Sequence, residues 1–111
     1  MKIEVLYFDG CPHYKPALNL VLDVLKEEQV SAQVAEVNVA DLEAAEATAF
    51  LGSPSIRVEG LDVEPAARAV RDYGISCRTY VTNGRVEGLP SRELIRRAIR
   101  EVGNGWSQHV G

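Results

Sequence analysis

With 111 residues, 46% hydrophobic and 25% charged, the chain has the composition of a soluble globular protein and the length of one domain, and it is neither disordered nor fibrous in character. Its net charge of −4 is unevenly placed: residues 1–56 carry three Lys against nine acids and residues 57–111 nine Arg against seven, too weak a basic excess to favour nucleic-acid binding. Two cysteines cannot form a disulfide framework, no run approaches ~18 apolar residues, and no signal-peptide pattern precedes the first strand, so a cytoplasmic setting without a membrane partner is expected.

Lys2 to Phe8 reads as a strand too continuously apolar (Ile3, Val5, Leu6, Tyr7, Phe8) for a one-sided sheet, which predicts helices on both faces. Leu18, Val21, Leu22 and Leu25 then repeat at helical spacing, predicting a buried helix to Glu28. Ala32 to Val39 alternates as a strand, and Asp41 caps a second helix ending at Gly52. Ser55 to Glu59 is a short strand, and Glu64-Pro65 opens a short helical stretch reaching Tyr73. Cys77 to Thr82 is β-rich, Asn83-Gly84 is a favoured hairpin dipeptide, and Arg85 to Glu87 returns. Ser91 caps the last helix, whose apolar face is Leu94, Ile95, Ala98, Ile99 and Val102; Arg92, Arg96, Arg97 and Arg100 alternate with acids as a solvated face. The domain is expected over residues 1–102, with a flexible tail over 103–111.

Chemistry is concentrated in Phe8-Asp9-Gly10-Cys11-Pro12-His13-Tyr14, where the first strand breaks before the first helix. The unpaired N–H groups at a helix start favour a thiolate, the form that attacks disulfides and binds soft metals. The second thiol of a Cys-x-x-Cys pair is absent, because Tyr14 stands in its place. Chemistry at Cys11 is therefore monothiol, or involves Cys77, or uses an external thiol such as glutathione. Pro16 lacks an N–H, so a helix begun at Cys11 would lose a hydrogen bond in its second turn, and Pro16, the favoured first helical position, is the alternative start.

The order of strands and helices resembles the thioredoxin and glutaredoxin superfamily over nearly the whole chain. Cys11-Pro12-His13-Tyr14 resembles its Cys-Pro-x-Cys loop with the resolving cysteine lost, and Gly52-Ser53-Pro54-Ser55-Ile56, 43 residues on, resembles its cis-proline loop. Small bacterial proteins with similar Phe-Asp-Gly-Cys-Pro, Gly-Ser-Pro and Ser-Cys-Arg segments are called thioredoxin-like, and some carry an alkylmercury-lyase label. The resemblance implies an α/β fold with a central mixed sheet of about four to five strands flanked by helices on both faces. It also implies Cys11 as nucleophile, a cis Ser53-Pro54 bond, and a substrate surface of Pro12, His13, Tyr14, Ser53 and Pro54. Without it, Pro54 reads as a trans strand-initiating proline.

The neighbours admit two readings each. His13 is either a base or charge stabiliser for Cys11 or plain loop sequence. Tyr14 either donates a hydrogen bond to the Cys11 sulfur or covers the helix start, and Asp9 is either an acid or a turn former. Cys77 reads as a buried core cysteine, which packs as a small hydrophobe. If it begins a strand returning from the far end of the sheet, it lies ~15 Å from Cys11, beyond disulfide reach. In another register it lies near the Cys11 edge and joins Cys11 as a catalytic thiol. The expected function is monothiol thiol-disulfide or glutathione-linked exchange, with glutathione as co-substrate and no other cofactor. The partners would be a protein or small-molecule thiol or disulfide. The alternatives are a non-catalytic binding module and soft-metal or organomercurial handling by Cys11 and Cys77.

Overall fold

β1 (Lys2–Tyr7) divides its side chains between two cores, as strand alternation requires. Ile3 and Val5 point into one core, and Leu6 points into the other. The first core is closed by α1 (Tyr14–Glu28) and α3 (Arg92–Val110), through Ala17, Val21, Val24 and Leu25 on one helix and Ile95, Ala98 and Ile99 on the other. The second lies under α2 (Leu42–Thr48) and joins Leu6 to Val39, Ala45 and Phe50. The chain is thus α/β with helices on both faces of its sheet. This computed structural model describes the backbone of residues 1–110 and the side chains of residues 1–103.

The sheet also contains β2 (Gln33–Asn38), β3 (Ser55–Val58) and β4 (Leu61–Asp62), in the order β2-β1-β3-β4. β1 is parallel to β2 and antiparallel to β3, with Leu6 opposite both Val37 and Ser55. A separate hairpin, β5 (Tyr80–Thr82) and β6 (Arg85–Glu87), turns at Asn83-Gly84, both at positive φ. The four strands meet the expected four to five at its lower bound, because β5 pairs only with β6.

Several boundaries differ from expectation. α1 starts at Tyr14, two residues before Pro16. Pro16 is then the third helical residue, among the N–H positions that have no intrahelical partner, so its missing donor costs nothing. Leu22 of the predicted apolar stripe is exposed. α2 ends at Thr48, because Ala49 takes the left-handed cap expected nearer Gly52. The helix expected from Glu64 to Tyr73 is only a 3-10 turn, Pro65–Ala67. The backbone of α3 continues past Val102 to Val110, whereas the side chains of the expected tail at 104–111 lie outside the described residues. Among the described residues, no helix is long and apolar enough to cross a membrane.

Candidate functional site

Cys11 is held at the end of β1 by a tight turn. Its N–H donates to the Phe8 carbonyl at 3.3 Å, and Gly10 occupies φ 89°. Positive φ at the third residue of a turn requires glycine or a small polar substitute, so Gly10 fixes the direction in which Cys11 leaves the strand. His13 is the N-cap of α1, and its carbonyl accepts the first helical bond from Ala17 at 3.0 Å. The Cys11 thiol is half-buried and free, three residues before the helix begins.

The surroundings of Cys11 decide between the sequence alternatives. Tyr14 stacks on Tyr7 with ring centroids 3.7 Å apart, and its hydroxyl donates to Glu36 on β2. It therefore covers the helix start and is engaged away from the Cys11 sulfur, with the Lys15 ammonium 4.9 Å above its ring. Asp9 is exposed, and its carboxylate accepts a 3.4 Å bond from the Asn38 amide, as suits a turn residue. Pro12 and His13 are exposed. The His13 ring lies against Gly88, where a Cβ would collide with it. The connection from β6 to α3 thus reaches the Cys11 loop.

The second loop lies at the same end of the sheet, because Ser55, the first residue of β3, pairs with Leu6 near the end of β1. The Ser53–Pro54 bond is cis, and both residues are buried. The Pro54 carbonyl accepts the Tyr80 hydroxyl at 2.6 Å, and Ser55 Oγ donates to the Gly52 carbonyl at 2.6 Å. Burial pushes the Tyr80 phenol up, so it remains a donor through the physiological range. Ser53 Oγ is buried and has no hydrogen-bond partner among the described residues.

Cys77 is exposed, which corrects the reading of it as a buried core cysteine, and of the two registers left open the structure takes the one that sets it at the Cys11 end of the sheet. Residues 76–78 pair in parallel with Ser53: the Ser53 N–H donates to the Ser76 carbonyl and the Arg78 N–H to the Ser53 carbonyl, each at 2.9 Å. The backbone of Ser53, part of the expected substrate surface, is therefore already paired by the chain itself.

Arg78 anchors that segment. Arg78 is 7% exposed, and its guanidinium donates two bonds to Asp62, of 2.7 and 2.9 Å, with further bonds to Ser55 Oγ at 3.0 Å and Glu64 at 3.3 Å. It also lies 4.5 Å over the Tyr80 ring. Burial works against its charge, but the hydrogen bonds it donates to Asp62 and the nearby acidic groups outweigh it and raise its pKa. Sequence reasoning missed Arg78, Asp62 and Tyr80. The one local signal was that Arg78 and Tyr80, two apart in a β-rich run, share a face.

Neither a protein-family model, nor a curated protein, nor a solved structure matches this chain. Among the described residues, no three His, Cys, Asp or Glu side chains gather as a metal site. The site thus comprises two accessible thiols at one end of a sheet, a cis-proline loop, and a buried ion pair holding one thiol's segment against that loop.

Proposed function

We propose that the protein is a thioredoxin-like thiol-disulfide exchange protein in which Cys11 is the attacking thiol and glutathione the co-substrate. The observation that carries this reading is the accessible Cys11 beside the start of α1, at the sheet end where the Ser53-Pro54 loop also lies. The strand and helix order and the β2-β1-β3-β4 sheet agree with the fold that the resemblance implies. A small disulfide suits the site better than an extended peptide, since Ser53 has already committed its N–H and C=O to residues 76–78.

In the forward step the Cys11 thiolate attacks one sulfur of a disulfide, forming a mixed disulfide and releasing the other half as a thiolate that takes up a proton. An incoming glutathione thiolate then attacks the mixed disulfide. In the deglutathionylation direction this regenerates Cys11 and yields glutathione disulfide from the incoming glutathione and the glutathionyl group taken off the substrate, so each turnover consumes one glutathione and frees one substrate thiol. The test is glutathione-dependent reduction of a small glutathione mixed disulfide, coupled to glutathione reductase. Turnover by the wild type that is lost in Cys11→Ser is expected; no turnover, or equal turnover in Cys11→Ser, overturns the reading.

The placement of both thiols at one sheet end favours a second reading, capture of a soft metal ion by two thiolates. Stoichiometric binding of Hg²⁺ that weakens sharply in both Cys11→Ser and Cys77→Ser, without glutathione-dependent turnover, would select it.

A further inference from the structure

We propose that Cys77 is the resolving thiol for Cys11, held in place by an internal strand pairing; this rests on the reading of Cys11 as the exchanging thiol. Three links connect the two residues. The Cys11 N–H is bonded to the Phe8 carbonyl, which fixes the thiol-bearing turn against the end of β1. The antiparallel register pairs Leu6 with Ser55, so Ser53, just before the cis Ser53–Pro54 bond, lies beyond that end of β1. Ser53 in turn pairs with Cys77. These links bring the two thiol-bearing segments to one end of the sheet, where neighbouring strands lie about 4.8 Å apart, and a cross-link forms only if the two Cα atoms come within about 7 Å.

The segment bearing Cys77 is anchored as an internal second thiol requires. Arg78 ties it to Asp62 and Ser55 beneath, while Cys77 faces outward, exposed and reduced. The backbone bonds that Ser53 donates to the Ser76 carbonyl and accepts from the Arg78 N–H fix the chain on both sides of Cys77. A thiol that served only packing would have no reason to be exposed at this edge.

The chemistry balances without an added reductant. After Cys11 attacks glutathione disulfide, it carries a glutathionyl group and one glutathione has left. The Cys77 thiolate then attacks the Cys11 sulfur, the Cys11–glutathione bond breaks as the Cys11–Cys77 bond forms, and the departing glutathione thiolate takes up the proton Cys77 gave up. The protein loses two electrons and one glutathione disulfide gains them.

The test is intact-mass and peptide mass spectrometry of the full chain after titration with glutathione disulfide. Wild type is expected to lose two hydrogens, carry no glutathionyl group and yield a Cys11–Cys77 cross-linked peptide, while Cys77→Ser accumulates one glutathionyl group on Cys11. Persistence of that adduct in wild type, as in Cys77→Ser, overturns the proposal and leaves Cys11 as a monothiol. If glutathione disulfide does not react with Cys11, the exchange reading fails, and diamide oxidation of the dilute protein tests the pairing alone. A monomeric Cys11–Cys77 disulfide then supports the juxtaposition, whereas none, or only intermolecular dimers, overturns it.

Discussion

Ser53 carries a buried hydroxyl with no partner among the described residues, while its own N–H and C=O are both bonded. An unsatisfied buried hydroxyl has given up water and gained nothing in return. Ser53→Ala is therefore expected to raise stability by about 1 kcal/mol in urea unfolding. A clear loss of stability would mean that the hydroxyl has a partner. Next to it, Gly52 adopts φ +124°, and a Cβ there would lie 2.9 Å from the Arg78 Cβ and 3.2 Å from the Ser76 carbonyl oxygen. Gly52→Ala is expected to cost more than about 1 kcal/mol in the same measurement, because the backbone is unsuited to a side chain and residues 76–78 leave no room. An unchanged midpoint would show that the segment yields. At this scale the turn bearing Cys11 was legible from its own residue types at a strand end, whereas the cis Ser53-Pro54 bond was legible only through the resemblance, because its residues alone read as a trans strand start. Cys77 was not, since its place depends on a pairing with Ser53 that spans the irregular chain between them.

Elements marked by local chemistry were legible, and those fixed by distant partners were not. Asp41 and Ser91 were read as caps, and their side chains accept from the N–H groups of Ala44 at 2.8 Å and Leu94 at 3.1 Å. The hairpin at Asn83-Gly84 was likewise legible. The turn at Glu59-Gly60, which leads from β3 into β4, also places both residues at positive φ, but Glu is not a residue that announces it. The Arg78–Asp62 pair joins the short β4 to the segment before β5 and was invisible in sequence, because nothing local distinguishes a buried charge from a solvated one. Removing only one partner leaves the other buried and uncompensated, so Arg78→Met is expected to destabilise by about 3–5 kcal/mol in chemical denaturation. The double variant Arg78→Met with Asp62→Leu is expected to recover most of that loss, because two apolar groups need no counter-charge. If the double variant is no more stable than the single one, Arg78 acts through its bonds to Ser55 and Glu64 instead.

The charge asymmetry between the two halves of the chain has a structural counterpart across the α1–α3 contact. Arg92, Arg96 and Arg100 recur every fourth residue along α3 and bridge to Glu27 and Glu28 of α1, with N–O distances of 2.6, 3.1 and 2.7 Å for Arg92–Glu27, Arg96–Glu27 and Arg100–Glu28. The stripe read in sequence as a solvated face is thus a belt of ion pairs joining the two helices that close the first core. The sequence showed the spacing of the arginines but not which helix would face them. The hydrogen bond from Arg100 holds the Glu28 carboxyl below its ordinary value of 4.5; bonds from Arg96 and Arg97 do the same for Glu93, and one from Arg68 for Glu101. A carboxyl with a lowered folded-state pKa protonates more readily in the unfolded chain, so it contributes stability above the unfolded value. That contribution disappears as pH falls through the folded-state pKa. The melting temperature is therefore expected to fall on acidification from about pH 5 to about pH 3, and to fall less steeply in Glu28→Gln/Glu101→Gln. Exposed pairs are screened by salt, so added NaCl at neutral pH is expected to narrow the gap between wild type and this variant. An acid limb equally steep in both proteins would place the acid sensitivity elsewhere, with Glu93 next to be tested by Glu93→Gln.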